Sequence, residues 1–126
     1  FEFDEKTASL ISREGSSLYE LSGKEIESSL NKAKQYFNLY RDNLALVEIN
    51  RLLLSNASEE VKYLASFLKD NVKKPNFSNL KDNFAILEVR KDLPLYQDCY
   101  VIWKGKITNV SITEESINFL FIFYIL

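Results

Sequence analysis

Few residues of this 126-residue chain are equipped for chemistry. It has no His and a single Cys. Without His there is no Ser–His or Cys–His dyad, no imidazole metal ligand and no ordinary general base near neutral pH. Cys99 alone can make neither an internal disulfide nor a thiolate cluster. It begins a predicted strand, where a buried, inert thiol is expected. A reactive one would need its pKa lowered by a neighbouring cation or a helix N-terminus, and an intermolecular disulfide is the alternative. Glu114 and Glu115 are adjacent, so their side chains point apart and belong to a solvated hairpin tip rather than to an acid–base pair. No calcium-loop run of Asp and Asn occurs, and Gly stands only at 15, 23 and 105, which excludes a phosphate-cradling glycine loop. No catalytic, cofactor-binding or metal-ligating set is therefore expected, and the chain reads as non-enzymatic.

Binding remains. Tyr100, Trp103, Lys104 and Lys106 cluster in one short stretch. They offer a stacking and phosphate-contacting patch of the kind single-strand nucleic-acid binders use. The competing reading turns the aromatics into a core and leaves the lysines guarding a strand edge. With 16 basic against 18 acidic residues and a net charge of -2, broad phosphate contact is disfavoured. Glu48 and Arg51 interrupt an otherwise apolar helix at i, i+3. They make either a helical ion pair or the wall of a groove for a partner's peptide.

The elements that position these groups follow from periodicity. A first helix is predicted over residues 1 to about 21, weakened by Gly15. Ser22 followed three residues later by Glu25 has the capping-box form. Behind it Ile26, Leu30, Ala33, Phe37 and Tyr40 step by 4, 3, 4 and 3, one apolar helix face. Leu44 to Leu54 is apolar nearly all round and predicts a helix buried between neighbours. Glu59 to Asn71 predicts a further helix with Val61, Leu64, Ala65 and Leu68 inward and Tyr63 and Phe67 flanking. Pro75 ends the helical half. Beyond it, 85–90 reads as a short strand, 93–98 as a turn, and Cys99 to Ile112 as a strand with a bulge at Gly105. A polar connection at 113–116 then leads into a last apolar strand from Ile117 to Leu126. That ten-residue run is short for a transmembrane helix; membrane contact, or a chain whose continuation is missing, are the other readings. With Phe1 first and no Met, the sequence is expected to be an excised or processed piece. The fold class is α+β: antiparallel helical hairpins over 1–74, then a small antiparallel β unit over 75–126, packed as one compact unit.

The central helices resemble the tetratricopeptide repeat. A repeat started at Ile26 places Ala33 at the small position, Tyr36 at the aromatic slot, Ala45 at the small position of the second helix, Ile49 and Leu52 at core positions and Ala57 where Pro is usual. A second repeat from Glu60 puts Tyr63 at the aromatic slot and then departs, with Phe67 at a small position and Pro75 arriving early. The resemblance covers 26 to about 71. The stretch from Tyr100 to Ile107, an apolar strand interrupted by Gly, weakly resembles the opening of an OB-fold. A helical repeat plus a β tail is similar to bacterial envelope proteins of the spirochaete type, which implies a periplasmic or envelope location.

The function expected from these features is a protein-interaction module using either a tetratricopeptide-like helical surface or an exposed strand edge. Its partner would be another protein or a second copy of itself. The candidate partner-binding residues are Tyr36, Tyr40, Glu48, Arg51, Tyr63, Tyr100, Trp103, Lys104 and Lys106. The alternatives are single-strand nucleic-acid binding by the β tail, or a small-molecule pocket between helices and sheet.

Overall fold

The computed structural model describes residues 10–11, 17–73, 75, 79–103, 106–112 and 117–119. Within them run α1 (Gly23–Asn38), α2 (Asp42–Leu53), α3 (Glu59–Asp70), α4 (Ile86–Lys91), a 3-10 helix (Leu93–Tyr96), β1 (Tyr100–Trp103), β2 (Lys106–Ile112) and β3 (Ile117–Phe119). Helices come first and a small antiparallel sheet last, the α+β order expected from the sequence. No described helix is long and apolar enough to cross a membrane.

α1 begins where the capping box placed it. The Glu25 N–H donates to Ser22 Oγ at 3.2 Å, and the Ser22 N–H donates to Glu25 Oε1 at 2.8 Å. Ile26, Leu30 and Ala33 are buried along the predicted stripe, while Phe37 is half-buried. Tyr40 is not part of that face. It lies past the helix end, 72% exposed, with φ 59. The Arg41 N–H reaches back to the Tyr36 carbonyl at 2.9 Å and the Tyr40 N–H to that of Phe37 at 3.1 Å. These two bonds form a Schellman stop, and Tyr40 occupies the left-handed position that usually falls to Gly. Residues 39–41 suffice to return the chain along α1 as α2.

α2 is buried nearly all round, as its composition demanded, because it is the wall between two cores. Ala45, Ile49 and Leu52 pack with Ile26, Leu30, Ala33, Ala57, Val61 and Ala65. Leu46 and Val47 face the other way and join Phe84, Val89, Leu95, Cys99, Val101 and Val110. Polar groups on α2 are used as fasteners. Asn50 donates from Nδ2 to the Leu95 carbonyl at 2.9 Å and the Gln97 carbonyl at 2.7 Å, and its Oδ1 accepts from Lys69 Nζ at 3.1 Å.

Three expectations are corrected. The predicted first helix is not found in the described part of its range. Ile11 pairs antiparallel with Ala57 and Tyr19 pairs parallel with Ser55, so this segment runs beside the α2–α3 connection. Asn56 holds Leu21 through both backbone groups, at 2.8 and 3.0 Å. Gly15 lies outside the described residues. The predicted strand at 85–90 is α4: Leu, Glu and Arg favour helix, only Val89 is turned inward, and Glu88 closes the first turn on the Ala85 N–H at 3.4 Å. Finally, there is no single arm from Cys99 to Ile112. β1 and β2 are separate antiparallel strands, Trp103 pairing with Lys106, in a three-stranded sheet of order β1-β2-β3. Gly105, the expected bulge, lies outside the described residues. The predicted last strand is described only as β3; residues 120–126 lie outside the described residues.

The outer edge of β1 is closed by side chains. The Tyr100 N–H donates to Asn43 Oδ1 at 3.1 Å, and Asn43 Nδ2 donates to the Tyr100 carbonyl at 2.7 Å. Asn83 repeats the arrangement on Ile102, both distances being 2.8 Å. Each amide stands in for a neighbouring strand. Cys99, next to this edge, is fully buried, and burial pushes its thiol up to about 12, the inert behaviour expected.

Asn43 is 3% exposed, so its loss strands the Tyr100 backbone groups without water. Asn43→Ala is expected to cost about 3 kcal/mol. In urea unfolding, far-UV circular dichroism (helices) and Trp103 fluorescence (sheet) should shift together; a shift in fluorescence alone would show the two halves to be uncoupled. Tyr40→Gly should act oppositely, raising stability by about 1 kcal/mol through relief of the left-handed conformation, measured in the same titration.

Candidate partner-binding surface

α3 starts at Ser58, whose Oγ accepts from the Val61 N–H at 3.4 Å and whose own N–H donates to the Leu10 carbonyl at 2.6 Å. Val61 and Ala65 are its only buried residues. Tyr63 is 73% exposed, Phe67 59% and Leu64 42%. Spacing of about 3.6 residues per turn puts these three on one outward arc with Glu59, Glu60, Asp70 and Asn71, all exposed. Leu64, expected inward, thus sits at the rim of the outer face, while Leu68 is half-buried as predicted. Lys62 and Lys69 fall off the arc. Lys69 is drawn toward the sheet, pairing with Asp98 Oδ2 at 2.9 Å. A helix with two large aromatics outward and two small residues inward reverses the usual economy of burial, and contiguous exposed apolar surface marks interaction sites.

The other candidate residues are scattered. Tyr36 is half-buried against the first core, with the Arg41 guanidinium 5.8 Å from its ring centroid. Tyr40 is the Schellman residue. Glu48 is buried, accepts from Ser29 Oγ at 2.8 Å and pairs with Arg51, so the ion-pair reading of these two is the observed one. They also line a shallow hollow of about 240 Å³ with Leu21, Glu25, Ser28, Ser29 and Lys32. Tyr100 is half-buried, its backbone held by Asn43. Trp103 packs on the second core and donates its indole N–H to the Phe84 carbonyl at 2.8 Å. Lys104 lies outside the described residues, and so does the side chain of Lys106, whose backbone opposes Trp103. The structure therefore brings Glu48 together with Arg51, and Tyr100 onto the same strand as Trp103, and the candidates whose side chains are described do not share one site.

The groups missed from sequence are Leu64 and Phe67, and the asparagines that fasten the halves. Phe67 carried a signal, as an aromatic four residues after Tyr63 on one helix face. The asparagines carried none, because an amide that replaces a strand has no sequence spacing to betray it. A cleft of about 310 Å³ opens between α2, the end of α3 and the sheet, lined by Leu46, Lys69, Val72, Lys73, Asp98, Tyr100 and Asn109. The Lys69–Asp98 pair spans this region and ties α3 to the β unit. The outer edge of β1 is occupied by Asn43 and Asn83; the strand edge expected for partner binding, in the tail from Ile117 to Leu126, falls mostly outside the described residues.

Comparison with known families matches residues 78–124 to the spirochaete C-terminal OB fold, and residues 7–69 to a domain of unknown function, DUF8514. Neither the curated proteins nor the solved structures give a match. An OB fold is a five-stranded barrel, of which the described residues supply the three-stranded sheet. The β tail thus carries the OB character read from Tyr100 to Ile107, in a spirochaete type of domain. The match to residues 7–69 takes in half of the chain, and the protein belongs to the DUF8514 family, with a spirochaete C-terminal OB fold following its helical half.

Proposed function

We propose that the protein is a non-enzymatic binding module that holds another protein against the outer face of α3. The observation that carries this reading is the exposed cluster of Tyr63, Leu64 and Phe67 on a helix that buries only Val61 and Ala65. Aromatic side chains concentrate at the centres of protein interfaces, where their desolvation supplies most of the affinity. The tetratricopeptide-like reading of 26 to about 71 belongs to the same proposal. It is supported by Ala33, Ala45 and Ala57, each fully buried where helices approach. In a stacked array the next helix would cover α3. Here the chain after α3 leads instead to α4 and the sheet, whose core lies on the far side of α2. A bacterial envelope location is part of this proposal.

Oligonucleotide binding by the OB half is the weaker reading. The indole of Trp103 is tied to the Phe84 carbonyl and packed on a core, which takes it away from base stacking.

Full-length protein should retain a partner that Tyr63→Ala/Phe67→Ala does not, and the interaction should be reproduced with both components purified. Truncating two interface aromatics is expected to weaken it at least about a hundred-fold. Circular dichroism should show unchanged helix content, because both side chains are exposed. A partner held equally by the double variant would overturn the proposal.

A further inference from the structure

The charge around the α3 face restricts what can dock there, if that face is the docking surface proposed above. Glu59 and Glu60 lie at one end of the apolar cluster and Asp70 at the other, all exposed and on the same arc as Tyr63 and Phe67. The two lysines of α3 lie off this arc, and Lys69 is neutralised by Asp98 at 2.9 Å. The face is therefore apolar at its centre and acidic at both ends. A second copy of the chain laid against it would set carboxylates against carboxylates, and like charges across an interface suppress that pairing. The face spans about 18 Å, the length of twelve helical residues.

We infer that the α3 face receives a basic amphipathic segment of a partner protein, its apolar stripe on Tyr63, Leu64 and Phe67 and its Lys or Arg residues against Glu59, Glu60 and Asp70. Ridges formed by side chains four apart on α3 match the groove-filling geometry of a docked helix, and i, i+3, i+4, i+7 anchors are the form such segments take.

The test uses two labelled synthetic helices of about 14 residues. They share one leucine stripe and differ only in flanking it with Lys or with Glu. Fluorescence anisotropy with the full chain should show the Lys peptide binding about ten-fold tighter than the Glu peptide at low salt, the difference shrinking as salt screens the charges. Glu59→Gln/Glu60→Gln/Asp70→Asn should remove that preference, and Tyr63→Ala/Phe67→Ala should abolish binding of both peptides. Equal binding of the two peptides, lost in the Tyr63/Phe67 variant, overturns the charge inference and leaves the docking face standing. Binding of neither peptide overturns both. Concentration-dependent self-association in sedimentation, abolished by the same variant, would show that the occupant is a second copy and overturn the basic-segment assignment.

Discussion

The Asn43 amide on α2 holds both backbone groups of Tyr100 on β1, and the rest of the fold is arranged around that contact. A strand edge exposes a row of donors and acceptors that must be satisfied by water, by another strand or by a side chain. An asparagine amide carries one donor and one acceptor side by side, the same pair a neighbouring strand would present. Asn43 does this from a helix, so it fixes the sheet to α2 in position and in register at once. Because α2 also forms one wall of the helical core, displacing the sheet would disturb that core.

The same device recurs at three further asparagines. Asn83 closes the next outward position of β1 at Ile102, and Asn56 holds Leu21 beside the start of α3. Asn50 reaches from α2 to the 3-10 helix through the Leu95 and Gln97 carbonyls. A buried amide so used gains because it satisfies backbone groups that packing would otherwise leave dry. One effect is to exclude partners: the edge of β1 that could have taken an added strand is occupied from within.

What the sequence made legible was local. The capping box at Ser22, the stripe of Ile26, Leu30 and Ala33, and the all-round apolarity of α2 each state a requirement within one helix, and each is met. The failures are places where a distant group decides. Tyr40 fits an apolar stripe by spacing, yet the Schellman stop turns it outward. Residues 85–90 offer Ile and Val to a strand, yet no described strand pairs with them, and Leu, Glu and Arg take helix instead. Trp103 could stack or pack by sequence, with packing favoured, and it is the distant Phe84 carbonyl that fixes its indole on the core. The candidate surface is half legible: Tyr63 is among the candidate residues, while Phe67 reads only as a flanking residue and Leu64 as an inward one, because the number of neighbours around α3 cannot be read from α3 itself.

That number also sets α3 apart from the other described elements. α2 has both sides covered, α1 gives its stripe to α2 and α3, and β1 has β2 on one edge and asparagines on the other. α3 touches the body through Val61 and Ala65, with Leu68 and Lys69 at the margin. Small residues at that contact draw the helix close and leave its aromatics on the far side, where folding gains nothing from them. Tyr63 and Phe67 therefore stabilise no core and stand exposed between carboxylates, which is the observation the proposed docking rests on.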